Sequence, residues 1–120
     1  MDYNLKGTGL SLSLEMREYL DRKVTHIEKF LHNGTASPLD VELSYDSAAP
    51  AAKYHVSLKS ILSKRALYAR AEGITLHEAI DLAVEEFTRE VVRVKEKRQH
   101  IMRHSAARVK DFLRGLRNRF

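Results

Sequence analysis

The sequence predicts an α+β domain, in which a β-α-β-β-β-α order of elements builds one four-stranded sheet with two helices on one face. Three observations support this prediction. Four short segments alternate apolar with polar residues, which is typical of strands buried on one side. Two longer segments repeat apolar residues every three or four positions, as amphipathic helices do. The length of 120 residues is that of a single domain.

The first strand and the first helix are expected at the start of the chain. Tyr3 and Leu5 share one face of a strand at residues 3–6. Ser13 is suited to cap the helix that follows, which we expect at residues 14–31. The apolar stripe of this helix consists of Met16, Leu20, Val24, Ile27 and Leu31.

Three further strands follow, and their succession along the chain favours an antiparallel meander. Alternation of apolar and polar residues places them at 41–45, 54–58 and 67–71. The alternation fails at Ile61-Leu62, so we expect the last hairpin turn between residues 60 and 64. Because each strand has a single apolar face, both helices should cover one side of the sheet and leave the other open to solvent.

The second helix is expected after Gly73, which ends the fourth strand. Thr75 and Glu78 have the spacing of a capping box. The apolar stripe of this helix consists of Leu76, Ile80, Ala83, Phe87, Val91 and Val94. Residues 74–114 contain neither Gly nor Pro, so the helix can continue as a rod of about 60 Å. Alternatively, Ser105 caps a separate tail helix.

Charge is unevenly distributed along the chain. Lys and Arg number 21 against 16 Asp and Glu, a formal charge of +5. Counting along the sequence, residues 1–74 carry +1, residues 75–88 carry −4 and residues 89–120 carry +8. The macrodipole of a helix favours acidic residues near its N-terminus and basic residues near its C-terminus, which explains this order. It does not explain the basic excess, which indicates a polyanionic partner such as RNA, DNA or anionic lipid.

Basic residues also form a row on the solvent side of each predicted helix. Arg22 and Lys29 belong to the first row, and Arg89, Arg93 and Lys97 belong to the second. Each row alone is compatible with an ordinary solvated helix face. Two such rows on one side of a sheet favour a joint basic surface.

The composition argues against several classes of function. The chain has no Cys, which excludes disulfides, thiolate zinc sites and a Cys nucleophile. We expect neither a signal peptide in residues 1–14 nor a membrane span. His100 and His104 could share a metal ion, but a third ligand is missing nearby. No motif for catalysis, cofactor binding or a small-molecule substrate is found. Tyr68 and Arg70 on the open sheet face lack the aromatic motif of single-strand RNA platforms.

Several segments resemble one known family in their order and spacing. They are Met16-Arg17-Glu18-Tyr19-Leu20, Lys23, Ile27-Glu28-Lys29-Phe30, Ala69-Arg70-Ala71-Glu72-Gly73, Ala79-Ile80-Asp81, Phe87-Thr88-Arg89-Glu90-Val91, Arg93, Lys95 and Lys97. On these segments, the chain resembles the ribosome hibernation-promoting factor family, which includes the ribosome-associated inhibitor of bacteria. The resemblance covers residues 1 to about 99.

The resemblance implies a fold related to double-stranded-RNA-binding domains. It also implies a non-enzymatic, cytoplasmic translation inhibitor that is monomeric off the ribosome. Such a factor occupies the messenger-RNA and transfer-RNA channel of the small ribosomal subunit and stabilises inactive ribosomes under stress. Seven residues match basic positions of the family pattern and are expected to bind ribosomal RNA: Arg22, Lys23, Lys29, Arg89, Arg93, Lys95 and Lys97.

Two features depart from this family pattern. Thr75-Leu76-His77-Glu78 replaces the usual acid-Met-Tyr triplet, so a contact made by that Tyr ring is missing. Residues 1–98 are expected to form the ribosome-binding domain, and residues 99–120 a basic, amphipathic helical tail. The apolar row of this tail consists of Val109, Leu113, Leu116 and Phe120.

The chain could alternatively be a general double-stranded-RNA-binding protein, or an adaptor that docks a partner or an anionic surface through the tail.

Overall fold

The computed structural model describes residues 3–31, 38–62 and 64–119, and most side chains up to Lys97. The order of elements is β-α-β-β-β-α, as the sequence predicts. The elements are β1 (Tyr3–Thr8), α1 (Leu14–Phe30), β2 (Leu39–Tyr45), β3 (Tyr54–Leu62), β4 (Arg65–Gly73) and α2 (Leu76–Arg119). The four strands form one sheet in the order β1-β2-β3-β4.

The sheet is mixed. β1 pairs with β2 in parallel, whereas β2, β3 and β4 form the antiparallel meander predicted from the sequence. Leu5, Val41, Leu58 and Ala69 stand side by side in the register and form an apolar row across all four strands. β1, β2 and β4 therefore run in one direction. Each of the two helices follows one of these strands and returns across the same face, so α1 and α2 run parallel to each other.

β3 is longer than the sequence predicts. It continues through Leu62, and its alternation does not fail: Ser60 and Leu62 face the core, whereas Ile61 faces solvent. Ser60 is only 2% exposed, although it is polar, and this residue obscures the apolar pattern. The reversal into β4 occurs between Leu62 and Arg65, which are paired. Lys64 adopts the left-handed conformation there, with φ of 68°.

Both helices begin at the predicted caps. The Ser13 hydroxyl accepts a hydrogen bond from the Met16 amide at 3.1 Å, and the Thr75 hydroxyl accepts one from the Glu78 amide at 3.1 Å. Each cap satisfies a backbone donor that the helix itself cannot. The predicted apolar stripes form the core against the inner face of the sheet. Its largest fully buried side chains on the helices are Leu20, Val24, Ile27, Ile80, Phe87 and Val91.

α2 is one continuous helix of 44 residues, about 66 Å long. Of the two alternatives that the sequence left open, the structure has the uninterrupted rod. The nine residues of β4 span about 30 Å, the length of about 20 helical residues, so α2 passes the end of the sheet. Consistently, Val91 is fully buried and Val94 is partly buried. The molecule measures 74 × 29 × 18 Å as a result. The boundary at residue 98 between domain and tail stays a prediction.

Candidate nucleic-acid interface

The open face of the sheet is balanced in charge. The register of the strands places three basic and three acidic side chains on this face. They are Lys6, Lys59 and Arg70, and Asp40, Glu42 and Glu72. Arg70 Nη2 lies 3.9 Å and His55 Nδ1 lies 3.3 Å from Glu72 Oε1. Tyr68 is 55% exposed. A balanced face gives a polyanion no net attraction, so the basic excess of the chain lies elsewhere.

α1 is also balanced. It carries four basic residues (Arg17, Arg22, Lys23, Lys29) and four acidic ones (Glu15, Glu18, Asp21, Glu28). Of the three predicted RNA contacts on α1, Arg22 and Lys29 are exposed and Lys23 is half-buried. The helix therefore presents individual cations but no net positive surface.

Lys23 belongs to a polar cluster that joins the two helices. Its Nζ lies 3.2 Å from Asp81 Oδ1, and the Tyr19 hydroxyl donates a hydrogen bond to the same oxygen. The ring of His77 lies 4.6 Å from that of Tyr19, centre to centre. Arg22 and Lys23 lie 5.8 and 5.4 Å from the centre of the Tyr19 ring, within reach of cation–π attraction. One predicted RNA contact therefore already neutralises a carboxylate of α2.

The cluster changes the acidity of its members. Burial raises the pKa of Tyr19, and its hydrogen bond to the Asp81 carboxylate raises that pKa further. Burial by itself lowers the pKa of Lys23, but the charge and hydrogen bond of Asp81 outweigh it, so the pKa of Lys23 is raised. Lys23 consequently stays charged while it bridges the helices.

The predicted contacts on α2 lie further along the helix. Arg89 pairs with Glu85 one turn earlier, and Arg93 pairs with Glu90. Lys95 is half-buried and Lys97 is exposed. Both arginines remain mostly exposed, at 67% and 71% of the side chain. Ion pairs this exposed contribute little, so a phosphate oxygen can replace the carboxylate partner at small cost.

The seven predicted residues do not form one cluster. Arg22 and Lys23 lie beside the acidic start of α2, whereas Arg89 and the residues after it lie two or more turns beyond. The two helices run parallel, and Tyr19 of α1 contacts both His77 and Asp81 of α2. Lys29, ten residues after Tyr19, should therefore lie level with Arg89 along the helix axes. By sequence, the net positive charge is concentrated in the second half of α2 and just after it, where residues 89–120 carry +8.

Sequence reasoning missed the residues that tie the elements together. Tyr19 with Asp81, and Tyr3 with Asp21, are hydrogen-bonded pairs far apart in the sequence. The sequence signal that could have indicated these contacts is the position of Tyr19, an aromatic residue with a polar hydroxyl group, next to the buried Leu20. His77, which stands where the family pattern has Tyr, contacts the Tyr19 ring.

The described residues hold neither a metal site nor a membrane span. Among them, no group of three His, Asp or Glu side chains could hold a metal ion, and no helix is long and apolar enough to cross a membrane. The side chains of His100 and His104 lie outside those described.

The fold and this surface define a small α+β domain with a basic second helix. The family model described as "Sigma 54 modulation protein / S30EA ribosomal protein" matches residues 3–99. The chain belongs to this family, whose members are ribosome-associated factors rather than known enzymes. The family resemblance seen in the sequence is thereby confirmed.

Two solved structures share the fold. The Thermus thermophilus Protein Y N-terminal domain is 24% identical, with a TM-score of 0.64 over 77% of this chain and 96% of that one. A ribosomal subunit interface protein from Coxiella burnetii is 19% identical, with a TM-score of 0.63 over 80% of this chain and 99% of that one. Among curated proteins, none matches the chain.

Proposed function

We propose that this protein is a translation inhibitor that occupies the messenger-RNA and transfer-RNA channel of the small ribosomal subunit and stabilises inactive ribosomes under stress. The match of the family model over residues 3–99 carries the proposal. On this proposal the partner is ribosomal RNA, and the protein acts in the cytoplasm as a monomer that needs no cofactor. The similar fold of the Coxiella burnetii ribosomal subunit interface protein supports a ribosomal partner.

The charge distribution supports binding through the helical side. The open sheet face and α1 are balanced, whereas residues 89–120 carry +8. Basic groups that replace the counterions of a phosphate backbone gain affinity, with a strong dependence on salt. Arg89, Arg93 and Lys97 are exposed and mark the surface that would meet the phosphates.

The mechanism would be occlusion. A domain whose two helices are joined by the Lys23–Asp81 ion pair and a shared core presents a fixed shape to the ribosome. A rigid body in the channel excludes messenger and transfer RNA for as long as it stays bound. The protein needs no chemistry of its own for this effect.

A competition experiment tests the proposal. Binding of the labelled full chain to small subunits is measured by sedimentation, with and without pre-bound messenger and initiator transfer RNA. Both RNAs should weaken binding, and the protein should weaken theirs by the same factor, because linkage is reciprocal. Full simultaneous occupancy would exclude occlusion. Equal affinity for any RNA duplex would instead favour a general double-stranded-RNA-binding protein.

A further inference from the structure

The open face of the sheet carries a polar cavity that spans β2, β3 and β4. Its volume is about 200 Å³. Three half-buried residues form its floor and three exposed residues form its rim. The floor consists of Ser44, His55 and Ser57, and the rim of Glu42, Tyr68 and Arg70. Pockets for drug-sized ligands measure about 300–1,000 Å³, so this cavity is suited to a single small ring system.

The register of the strands places acid and base on two sides of this cavity. Glu42 of β2 pairs with Ser57 of β3, which in turn pairs with Arg70 of β4. Neighbouring strands lie about 4.8 Å apart, so the carboxylate and the guanidinium group flank the short Ser57 side chain. Tyr68 lies two residues before Arg70 on the same face and is 55% exposed. Its ring therefore forms a third wall.

The polar groups of the cavity lack partners. Among the described residues, the side chains of Glu42, Ser57 and Tyr68 form neither a hydrogen bond nor an ion pair. His55 Nδ1 is buried and forms no hydrogen bond with these residues either, although the Glu72 carboxylate lies 3.3 Å away. Buried polar atoms are nearly always hydrogen-bonded. The unsatisfied nitrogen at the floor therefore indicates that the cavity takes a polar occupant.

The rim restricts the chemistry of that occupant. A carboxylate accepts hydrogen bonds and a guanidinium group donates them, so the ligand needs donors towards Glu42 and acceptors towards Arg70. An anion would meet the carboxylates of Glu42 and Glu72, and a cation at Glu42 would face the guanidinium group of Arg70. A nucleobase is neutral and has donors and acceptors on one planar ring system. Unpaired bases also stack on exposed aromatic rings such as that of Tyr68.

We infer that this cavity binds a guanine base, either an unpaired guanine of an RNA strand or the base of a free guanosine phosphate. Guanine has two neighbouring donors, N1–H and the N2 amino group, and two neighbouring acceptors, O6 and N7. Adenine, cytosine and uracil each have a single donor group. Guanine alone therefore offers paired hydrogen bonds to both charged groups of the rim.

This site differs from the surface proposed to meet ribosomal RNA. It lies on the face of the sheet opposite to the helices, where the charges are balanced. Recognition of a base needs no net positive charge, because the contacts are made to the ring and not to the phosphates. The inference therefore does not rest on the ribosome proposal.

Nucleotide titration of the full chain tests the inference. Binding of GMP, AMP, CMP and UMP is followed by the NMR signals of the backbone amides. The four ligands carry the same phosphate, so differences between them report the base. GMP should bind at least about tenfold more tightly than AMP and should shift the amide signals around Ser57. Equal binding of all four, no binding of GMP, or shifts confined to α2 would overturn the inference.

Two isosteric variants test the role of the rim carboxylate. Glu42→Gln should remove the preference for GMP over AMP. Asp40→Asn removes the same charge from the same face of β2 outside the cavity and should leave that preference unchanged. Thermal unfolding of each variant checks that the fold persists. Equal effects of the two variants would mean that the net charge of the face governs binding and would contradict the assigned site.

Two further variants test the aromatic wall. Tyr68→Leu should weaken binding of all four nucleotides, because it removes the ring on which a base stacks. Tyr68→Phe keeps the ring and should bind like the parent chain. Unchanged binding in Tyr68→Leu would contradict the stacking contact.

Short RNA strands distinguish the two sources of guanine. Single-stranded uridine heptamers with and without one central guanosine carry the same backbone charge. A preference for the guanosine-containing strand that is lost in Glu42→Gln, with tighter binding than GMP, assigns the site to RNA. Binding no tighter than that of GMP assigns it to a free nucleotide. A preference that persists in Glu42→Gln would overturn the inference. None of these measurements contains ribosomes, so their outcome is independent of the proposed function.

Discussion

Lys23 of α1 and Asp81 of α2 form an ion pair across the helix interface, with Nζ 3.2 Å from Oδ1. Tyr19 donates a hydrogen bond to the same carboxylate. The family resemblance assigns Lys23 to ribosomal RNA, whereas the structure also gives it a role in joining the helices. Loss of Lys23 should therefore affect stability as well as binding, and the two effects need separate measurements.

Asp81→Asn should lower the free energy of unfolding by about 1 kcal/mol or less, because both partners of the pair are partly exposed. Urea unfolding measures the change. Combining Asp81→Asn with Lys23→Gln should cost less than the sum of the single changes, since either one removes the pair. Glu86→Gln, at an exposed position on α2, is the control. Strict additivity of the two changes would contradict the structural role of the pair.

Replacing Arg89, Arg93 and Lys97 together with Gln should weaken binding to the small subunit. The logarithmic salt slope should fall by about 0.9 for each phosphate that the variant no longer neutralises, if binding resembles that on duplexes. The control replaces Lys6, Lys59 and Arg70 with Gln and removes the same charge from the open sheet face. If both triple variants weaken binding equally, the effect is one of net charge, and α2 is not the contact surface.

The opposite change should strengthen binding. Glu85→Gln with Glu90→Gln removes the carboxylates that pair with Arg89 and Arg93 and leaves both guanidinium groups in place. The arginines then need not exchange one anion for another. Sedimentation at moderate salt should show tighter association than for the parent chain. Unchanged or weaker association would mean that these arginines do not meet phosphates.

Gly73 is required by its surroundings at the junction of β4 and α2. A Cβ atom there would lie 2.6 Å from the Ala79 amide nitrogen and 2.9 Å from the Thr75 carbonyl oxygen, both backbone atoms. Gly73→Ala should therefore displace the start of α2 and cost about 1–3 kcal/mol in thermal unfolding. Gly7→Ala is the matched control, because its nearest neighbour would be 3.9 Å away. Equal stability of the two variants would contradict this packing.

The hydrogen bond from Tyr3 to Asp21 predicts a loss of stability at high pH. Burial, together with this hydrogen bond, raises the pKa of Tyr3 to about 12. The folded state thus holds the phenol proton more tightly than the unfolded state, so the contribution is complete below about pH 10 and declines towards pH 12. Tyr3→Phe should flatten that part of the stability profile. Tyr68→Phe, at an exposed position, should not.

Local patterns predicted more of this structure than contacts between distant residues did. The caps at Ser13 and Thr75, and the stripes that include Leu20 and Phe87, follow from neighbouring residues and were confirmed. The full length of β3 could not be predicted from neighbouring residues, because the buried Ser60 interrupts the alternation of apolar and polar residues. The Tyr19–Asp81 contact joins residues 62 positions apart, which no local pattern encodes. The assignment of the seven basic residues to ribosomal RNA stays a prediction.

The domain boundary near residue 98 can be tested by hydrogen exchange. Amides of residues 80–94 lie in a helix packed on the sheet and should exchange slowly. Amides of residues 100–119 belong to the same helix past the end of the sheet, and the side chains described there, such as Arg108 and Arg114, are exposed. They should exchange much faster in the free protein. Removing residues 99–120 should then leave the unfolding midpoint nearly unchanged, since Val94 is the last of the described side chains that packs on the core. Equally slow exchange in both segments would instead mean that the tail folds as part of the domain.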